Sequence, residues 1–330
     1  MSQTELINIL SDGQFHSGED IGASLGVSRA AIWKQLQKLE AMNIPVHSVK
    51  GKGYRLPEAV QLLEQDALNA HGFPYEKFGS CELALSLDST NDAMMHLAES
   101  NSDGRHICFA EMQSAGRGRR GRQWVSPFAR NLYFSVLWPF SQGIAAIQGL
   151  SLAVGLAIND GLKELGIDNT GLKWPNDILA KDARGQYRAK LGGILIELTG
   201  DVTDACQVVI GVGLNLDIQP RDLALIEQDA VGIKQLLAPS TELDRNKVAA
   251  VLVSHLYDTL EAFSGQGFAP LAQKWNEANA FEGEEVRLIL PSSEIRGRCT
   301  GVNQKGELRL DTPEGEQVFN AGEVSLRLAE

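Results

Sequence analysis

The sequence predicts a multidomain α+β protein with a small helical N-terminal domain, a central mixed β-sheet with helices, and a small C-terminal β-barrel. Three observations predict it. The first 56 residues form three short amphipathic segments and a hairpin pattern, and the next 200 alternate strand-like and helix-like runs. The last fifty residues contain only short alternating strands between turn sequences. We therefore expect domains at 1–63, 66–270 and 271–330.

The N-terminal helices are marked by their caps and by apolar spacing. Ser17, with Asp20 three residues on, begins the second helix in a capping-box-like pattern, and Ser28 is a good N-cap for the third. Apolar residues recur at every third or fourth position from 32 to 39, which gives the third helix one buried stripe. A glycine-rich basic tip at 50–53 then predicts a hairpin.

Charge distribution indicates what this domain binds. Residues 28–56 carry a net charge of +5, whereas the whole chain carries −12, so the rest carries −17. Helix, turn, capped helix and basic hairpin together predict a winged helix-turn-helix on an acidic body. The alternative is a small helical domain with a solvated charged face. For Trp33 by itself, a place in the core is a second interpretation. The residues expected to contact DNA are Ser28, Arg29, Trp33, Lys34, Lys50, Lys52 and Arg55.

Composition argues against several classes of protein. The N-terminus lacks a secretory signal, and the most apolar stretch, Ile144 to Ile158, is too short to cross a bilayer. Four scattered cysteines without C-x-x-C spacing indicate reduced thiols, and the six histidines have no metal-ligand spacing. We expect a cytoplasmic protein with no membrane association and no metal held by His and Cys.

The body follows a linker at about 57–65, which is expected to run into a helix containing Leu62, Leu63 and Leu68. Its secondary structure is predicted from runs of apolar residues. The strand-like runs are 83–87, 106–111, 131–138, 193–198 and 208–213, and the helix-like runs are 91–98, 144–165 and 247–263, the last continuing past Gly267 toward Trp275. The C-terminal strands are 285–290, 294–300, 307–311, 317–320 and 324–328.

The most specific chemical signal is Gly116-Arg-Gly-Arg-Arg-Gly-Arg122, here called the arginine–glycine loop. Three glycines let the backbone bend around a ligand, and four arginines concentrate positive charge. Such a loop suits an anion or a polyphosphate, although it lacks the G-K-[ST] ending of a Walker loop. The alternative is a solvated or RNA-binding RG stretch, which is usually disordered. This loop instead lies between two strand-like runs.

Three shorter motifs also carry polar groups suited to a nucleotide or an acid. Lys173-Trp-Pro-Asn-Asp177 offers a cation for phosphates and oxygens for Mg²⁺ or its waters, or it is an ordinary turn. Lys190 precedes two glycines at a strand entrance, where it can face the acid end of a ligand or simply lie at the surface. Asp88-Ser-Thr-Asn91 opens a helix, which its hydroxyls can cap, or they can bind a polar ligand there.

Taken together, the motifs resemble one family, the bifunctional biotin–protein ligases that are also biotin-operon repressors. The resemblance spans essentially the whole chain, and the motifs occur in the family's order. They are Asp88–Asn91, Gln113–Arg122, Lys173–Asp177, Lys190-Leu-Gly-Gly-Ile, Gly211–Asn215 and Glu323–Arg327. The resemblance implies a central sheet like that of class II synthetases and an SH3-like C-terminal barrel.

The resemblance also implies residue roles. Lys190, Arg119 and Lys173 would be catalytic, with Arg119 helping to retain a reactive intermediate. Biotin would contact Ser89, Thr90, Asn91, Gln113, Arg117, Gly118, Arg119 and Lys190. ATP and the adenylate would contact Arg117, Arg119, Arg120, Arg122, Trp124, Lys173, Asn176, Asp177, Asn215 and Arg327. Asn176 and Asp177 would hold Mg²⁺ transiently with ATP.

By resemblance, the enzyme forms biotinyl-5′-adenylate from biotin and ATP with Mg²⁺, without a tightly bound cofactor. It then transfers biotin to a lysine of biotin carboxyl carrier protein. The adenylate would also be the corepressor that favours a homodimer on operator DNA of biotin genes. The chain departs from the family at 181–188, longer than in compact members and expected to form an extended hairpin. It also departs at 216–233, the expected adenylate-covering loop, which lacks a tryptophan used by some members.

Two other functions stay open. A lipoate–protein ligase shares the catalytic fold, but the arginine–glycine loop and the N-terminal domain disfavour it. A repressor that senses a ligand without chemistry is the second. Against it, Lys173, Asn176, Asp177 and Lys190 together form a phosphate and Mg²⁺ set that sensing alone does not require.

Overall fold

The computed structural model describes residues 3–100, 104–141, 143, 147–182, 184–200, 206–238, 240–322 and 324–329. Ile144 and Glu323, which the sequence analysis singled out, lie outside these ranges. The N-terminal elements are α1 (Gln3–Leu10), α2 (Gly18–Leu25), α3 (Arg29–Ala41), β1 (His47–Val49) and β2 (Gly53–Arg55). This is the predicted order of three helices and a hairpin.

Both predicted caps are present. The Ser17 hydroxyl accepts from the Asp20 N–H and begins α2, and the Ser28 hydroxyl accepts from the Ala31 N–H and begins α3. The apolar stripe of α3 is fully buried against α1 and α2. Trp33 is 55% exposed, so it does not close this core.

The hairpin of β1 and β2, here called the wing, pairs antiparallel and is held to the helices by backbone bonds. His16 and Tyr54 exchange both backbone hydrogen bonds. Gly53 has φ +107°, and a Cβ there would lie 2.0 Å from the His16 carbonyl oxygen. Only glycine allows this close approach of the wing to the helices.

The central domain is a seven-stranded mixed sheet with helices. Its strand order is β3-β4-β5-β9-β8-β7-β6, in which β3 and β4 are parallel and all other neighbours antiparallel. The strands are β3 (Ser80–Ala84), β4 (His106–Ala110), β5 (Leu132–Phe140), β6 (Thr170–Lys173), β7 (Asp177–Lys181), β8 (Tyr187–Gly200) and β9 (Cys206–Leu214). The helices are α4 (Gln65–Ala70), α5 (Thr90–Glu99), α6 (Leu150–Glu164), α7 (Pro220–Leu223), α8 (Arg245–Gln266) and α9 (Ala272–Glu277).

The sequence prediction was wrong at several boundaries. Residues 170–181 form a β-hairpin that was not predicted, and Trp174-Pro175, a cis peptide, lies in its turn. Its strands are buried and short, so they lack alternation. Leu62 and Leu63 precede α4 rather than belonging to it, and Gly267 ends α8. The predicted hairpin at 181–188 is present, with β7 and β8 paired across it.

The predicted linker is bound tightly to the central domain. Buried Glu111 accepts from the Leu63 N–H at 2.6 Å and pairs with Arg245 at 2.7 Å. Arg245 also donates to the carbonyl oxygen of Gln61, and Asn246 donates to that of Leu62 at 3.0 Å. Residues 61–63, which follow the N-terminal domain, are therefore held to the central domain by these hydrogen bonds.

The C-terminal domain is one antiparallel sheet of order β13-β12-β11-β10-β14. Its strands are β10 (Glu285–Ile289), β11 (Glu294–Val302), β12 (Leu308–Thr312), β13 (Gly315–Phe319) and β14 (Ser325–Leu328). Its apolar residues, including Val286 and Leu310, join the core of the central domain. Across the described parts of the chain, no helix is long and apolar enough to span a membrane.

Candidate active site

A cavity of about 440 Å³ lies where the central sheet meets the C-terminal domain. The arginine–glycine loop, the turn at 174–176 and residues 225–230 form its walls, and residues 324–327 of the C-terminal domain complete them. Two domains therefore build one site. Many of the residues predicted to bind a nucleotide line it, namely Arg119, Arg120, Arg122, Trp124, Lys173, Asn176, Asp177, Asn215 and Arg327, together with Lys190.

Two lysines and one carboxylate form a buried cluster in this cavity. Asp177 accepts from the Lys190 ammonium at 2.7 Å and from the Lys173 ammonium at 3.0 Å. Burial alone would raise the pKa of Asp177, but the two ammonium groups outweigh it and hold that pKa well below its ordinary value. Burial lowers the pKa of Lys173, and the charge of Asp177 opposes this shift. Two cations with one anion leave a net positive charge for an anionic ligand.

Arg119 connects the arginine–glycine loop to both domains. Its guanidinium donates to Asn176 Oδ1 at 3.1 Å and to the carbonyl oxygen of Gly322 in the C-terminal domain. Burial lowers the pKa of Arg119, partly offset by the charge of Asp177. The loop is thereby held over the cavity.

The contacts of Asn176 and Asp177 do not fit a resident Mg²⁺. The Asp177 carboxylate binds two ammonium groups, and Asn176 Oδ1 accepts from Arg119. A divalent cation would have to displace these cations. Within the ranges that the structure describes, no group of three His, Cys, Asp or Glu side chains could hold a metal ion.

A narrower cavity of about 50 Å³ adjoins the first and shares Gly118, Arg119 and Lys190 with it. It contains the residues predicted to bind biotin, since Ser89, Thr90, Asn91, Gln113 and Arg117 also line it. The Ser89 hydroxyl accepts from the Asp92 N–H and begins α5, so the start of that helix points at the cavity. The residues predicted to bind the acid thus line the small cavity, and most of those predicted to bind the nucleotide line the adjoining large one.

Trp124 packs over two glycines of neighbouring strands, Gly193 of β8 and Gly213 of β9. A Cβ at Gly213 would lie 2.6 Å from the Trp124 ring, and one at Gly193 would lie 3.1 Å from it. The Lys190 ammonium lies 5.3 Å from the centre of the same ring. Any side chain at 213 would displace the indole from the wall between the two cavities.

The structure does not give every predicted residue a contact inside the site. Arg120 and Arg122 are exposed at the mouth of the large cavity, and Arg120 has φ +61°. Arg117 pairs with Asp92 at 2.5 Å and with Glu197 at 3.2 Å. Its hydrogen bond to Asp92 is the main cause that raises the pKa of Arg117.

The sequence did not reveal several polar residues that hydrogen-bond to the lining of the small cavity, because they lie within apolar strands or beside the motifs. These are Asp92, Ser126, Ser135 and Glu197. Ser135 lies inside β5, a strand in which every residue except Pro139 is buried. Its only sequence signal is a polar residue interrupting an apolar run, which a solvent-facing position would produce equally well.

Most of the predicted DNA contacts are exposed on the N-terminal domain. Arg29, Trp33 and Lys34 are exposed on α3, and Lys50 and Lys52 are exposed at the tip of the wing.

Arg55 behaves differently from the other predicted DNA contacts. Its guanidinium lies 4.9 Å from the Phe15 ring and donates to the Gly13 carbonyl oxygen at 3.4 Å, so it already has partners within the domain.

Comparison with known proteins matches all three domains. Residues 83–215 match the biotin/lipoate A/B protein ligase family, residues 2–55 an HTH domain, and residues 282–327 the biotin protein ligase C-terminal domain. The chain is similar to biotin protein ligase from Aquifex aeolicus in complex with biotin and ATP, at 28% identity and TM-score 0.63. That likeness covers 76% of this chain and all of that one.

Curated relatives extend the match to the whole chain. The biotin–[acetyl-CoA-carboxylase] ligase of Paracoccus denitrificans is 33% identical over 72% of this chain and 96% of its own length. The bifunctional ligase/repressor BirA of Escherichia coli (strain K12) is 40% identical over 99% of this chain and 97% of its own length. A match at this level through all three domains shows that the chain belongs to the family of bifunctional biotin–protein ligases and repressors.

Proposed function

We propose that this chain joins biotin to ATP as biotinyl-5′-adenylate, transfers the biotin to a lysine of biotin carboxyl carrier protein, and represses biotin biosynthesis genes. The observation that carries the ligase half is the buried cluster of Lys173, Asp177 and Lys190 between two connected cavities. A carboxylate in the small cavity and a triphosphate in the large one meet beside these lysines.

The first reaction needs two anions held together and negative charge neutralised at phosphorus. A biotin carboxylate oxygen forms a bond to the α-phosphorus, and the bond to pyrophosphate breaks with its electron pair leaving on pyrophosphate. Lys190 binds between the carboxylate and the α-phosphate, while Lys173 and Arg327 bind the departing phosphates. Ser89, Thr90 and Gln113 hold the ureido ring.

The second reaction needs an electrophile protected from water. The neutral amine of the carrier lysine attacks the acyl carbon, AMP leaves with the electron pair, and the amine loses a proton to solvent. Arg119 and Trp124 cover the adenylate and limit its hydrolysis. Mg²⁺ takes part only as the counter-ion that ATP carries with it.

Pyrophosphate release tests the ligase. Mixing the purified chain with biotin and MgATP should release pyrophosphate and leave a tightly held adenylate, and added carrier protein should become biotinylated. Lipoate in place of biotin should give at least ~100-fold less product, because a site built to hydrogen-bond a polar ring rejects an acid without one. Turnover with lipoate alone would favour the lipoate–protein ligase, and no turnover with either acid would favour a ligand-sensing repressor.

The repressor half rests on the basic face of α3 and the wing. Lys50 and Lys52 contact phosphates and α3 enters the major groove. The adenylate favours a homodimer that presents two such faces to a two-fold operator in the cytoplasm. We assign these functions to domains 1–63, 66–270 and 271–330.

Biotin together with MgATP should tighten binding to a duplex spanning the promoter of the biotin genes by about ten-fold or more, because a ligand that prefers the DNA-binding state raises affinity by its differential affinity. Fluorescence anisotropy at several salt concentrations measures it. Replacing Lys50 and Lys52 with alanine should reduce the salt dependence by about one counter-ion each. Equal affinities with and without the substrates would refute the regulatory link.

A further inference from the structure

Glu197 lies behind two residues that line the small cavity, Asn91 and Arg117, and no role is assigned to it above. It lies on β8, and its carboxylate receives two different donors. Asn91 Nδ2 donates to it at 2.6 Å, and the Arg117 guanidinium donates to both of its oxygens at 3.2 and 3.3 Å. Glu197 therefore touches one residue of the acid-binding cavity and one residue of the arginine–glycine loop.

The contact with Glu197 fixes the orientation of the buried Asn91 amide. A carboxylate only accepts, so the NH₂ group of Asn91 must face it, and the carbonyl oxygen of Leu195 at 3.4 Å demands the same orientation. The Asn91 carbonyl oxygen then faces the Ser135 hydroxyl at 2.6 Å. Gly211 leaves the room for this arrangement, since a Cβ there would lie 2.1 Å from Asn91 Oδ1.

The orientation of the Asn91 amide also decides which hydroxyls beside it donate and which accept. An amide oxygen only accepts, so the single proton of Ser135 goes to Asn91. In the 2.7 Å contact between the Ser135 and Thr90 hydroxyls the proton must then come from Thr90, which leaves Gln113 Oε1, 3.2 Å from Thr90 Oγ1, to accept from the Thr90 N–H alone. Gln113 is fixed separately, because its Oε1 accepts from the Thr90 N–H at 2.9 Å. Glu197, together with the Leu195 carbonyl oxygen, thus fixes the Asn91 amide and, through it, the hydroxyl protons of Ser135 and Thr90.

Through its ion pair with Arg117, Glu197 also contacts the arginine–glycine loop. The guanidinium is shared between the carboxylates of Asp92 and Glu197. Through these two ion pairs Arg117 holds the arginine–glycine loop to α5 and β8. Because it already binds two carboxylates, it is less suited to bind a third anion. The positive charge for the substrate then comes from Lys190, Lys173 and Arg119.

We propose that Glu197 is a positioning residue for the acid substrate. Through Asn91 it sets the donor and acceptor pattern that recognises the polar ring, and through Arg117 it ties down the loop that retains the adenylate. This rests on the proposed ligase function. Glu197 acts on binding and retention and leaves the chemical step unchanged, because its contacts are with Asn91 and Arg117 and not with the lysine cluster.

Glu197→Gln tests the proposal, since its NH₂ group must oppose either Asn91 or Arg117, both of which donate. We expect the KM for biotin to rise about ten-fold or more, with the KM for ATP and kcat within about two-fold. The release rate of preformed adenylate should rise by a similar factor. Glu285→Gln removes a carboxylate from an exposed pair with Arg298 and should change none of these values.

Two further variants separate the roles. Asp92→Asn loosens Arg117 alone and should speed adenylate release with little change in the biotin KM. Asn91→Asp combined with Glu197→Gln reverses donor and acceptor, so it should recover most of the biotin KM lost in Glu197→Gln. Asn91→Asp alone should raise the KM for biotin more than Glu197→Gln or the double variant does, because it places two carboxylates together.

The outcomes distinguish this inference from the function on which it rests. If the wild type forms no adenylate, the proposed function fails. If the wild type is active but Glu197→Gln keeps its biotin KM and release rate, the inference alone is wrong. An equal loss of kcat in Glu197→Gln, or no recovery in the double variant, would also overturn it, because a merely structural residue would behave that way. Thermal melting identifies unfolded variants, and Asp92→Asn tests the loop contact independently of Glu197.

Discussion

Replacing Lys190 with methionine is expected to lower kcat/KM for adenylate formation by about 10²–10³-fold, the usual cost of removing one preorganised charge at a reacting group. Lys190 is held at 2.7 Å from Asp177 and adjoins both cavities. Its ammonium is already in place before negative charge develops on the phosphate. Methionine keeps most of the apolar part of the side chain and removes the ammonium group with its contact to Asp177.

Single-turnover release of pyrophosphate measures this effect directly. Lys181→Met is the matched control, because Lys181 lies at the end of β7 with its ammonium 5.0 Å from the Tyr187 ring, is exposed, and lines neither cavity. Arginine at 190 keeps the charge but not the compact geometry, so it should restore activity only in part. A Lys190→Met enzyme with more than a tenth of wild-type activity would contradict the assigned role.

Replacing Arg245 with methionine is expected to destabilise the central domain by about 3–5 kcal/mol, the usual cost of breaking a buried ion pair from one side. Arg245 and Glu111 are each only 5% exposed and lie 2.7 Å apart. Arg245 also donates to the carbonyl oxygen of Asn131 at 2.8 Å. Its loss leaves the Glu111 carboxylate buried with the Leu63 N–H as its remaining hydrogen-bond donor.

Urea unfolding followed by tryptophan fluorescence measures the loss. Because the linker depends on the same pair, residues 57–64 should also become sensitive to limited proteolysis before global unfolding. Arg296→Met removes an exposed partner of Glu294 and should cost about 1 kcal/mol or less. An Arg245→Met protein as stable as the Arg296→Met control would show that the buried pair contributes little to the free energy of unfolding.

Local chemistry made much of the architecture predictable. The Ser17 and Ser28 caps and the apolar stripe of α3 depend on neighbours within one helix turn, and the structure has them as predicted. The hairpin at 170–181 could not be predicted in the same way. Its strands are buried on both faces, so Thr170 to Lys181 lack the alternation that marks a half-buried strand.

In the candidate site, too, some features could be predicted from the sequence and others only from the structure. Spacing alone left Lys173, Asp177 and Lys190 open to an ordinary turn and a surface lysine, and the order of the motifs along the chain, which resembles one family, selected them. The mutual contacts of these residues depend on β7 pairing with β8, with register shifts, and were not predictable from the chain. For Asn176 and Asp177, spacing shows available oxygens and cannot show that two ammonium groups bind the Asp177 carboxylate, and the transient Mg²⁺ that accompanies ATP stays a prediction.

The sequence by itself determined the three-part organisation, the capped helices, the basic wing and the family, because these depend on local propensity, charge and short motifs. Only the tertiary structure decided that Arg119 reaches the C-terminal domain, that Arg245 holds the linker, and that Glu197 orients Asn91. These contacts join residues more than a hundred positions apart. Such pairs meet only after the sheet has assembled, so the spacing of residues along the chain carries no record of them.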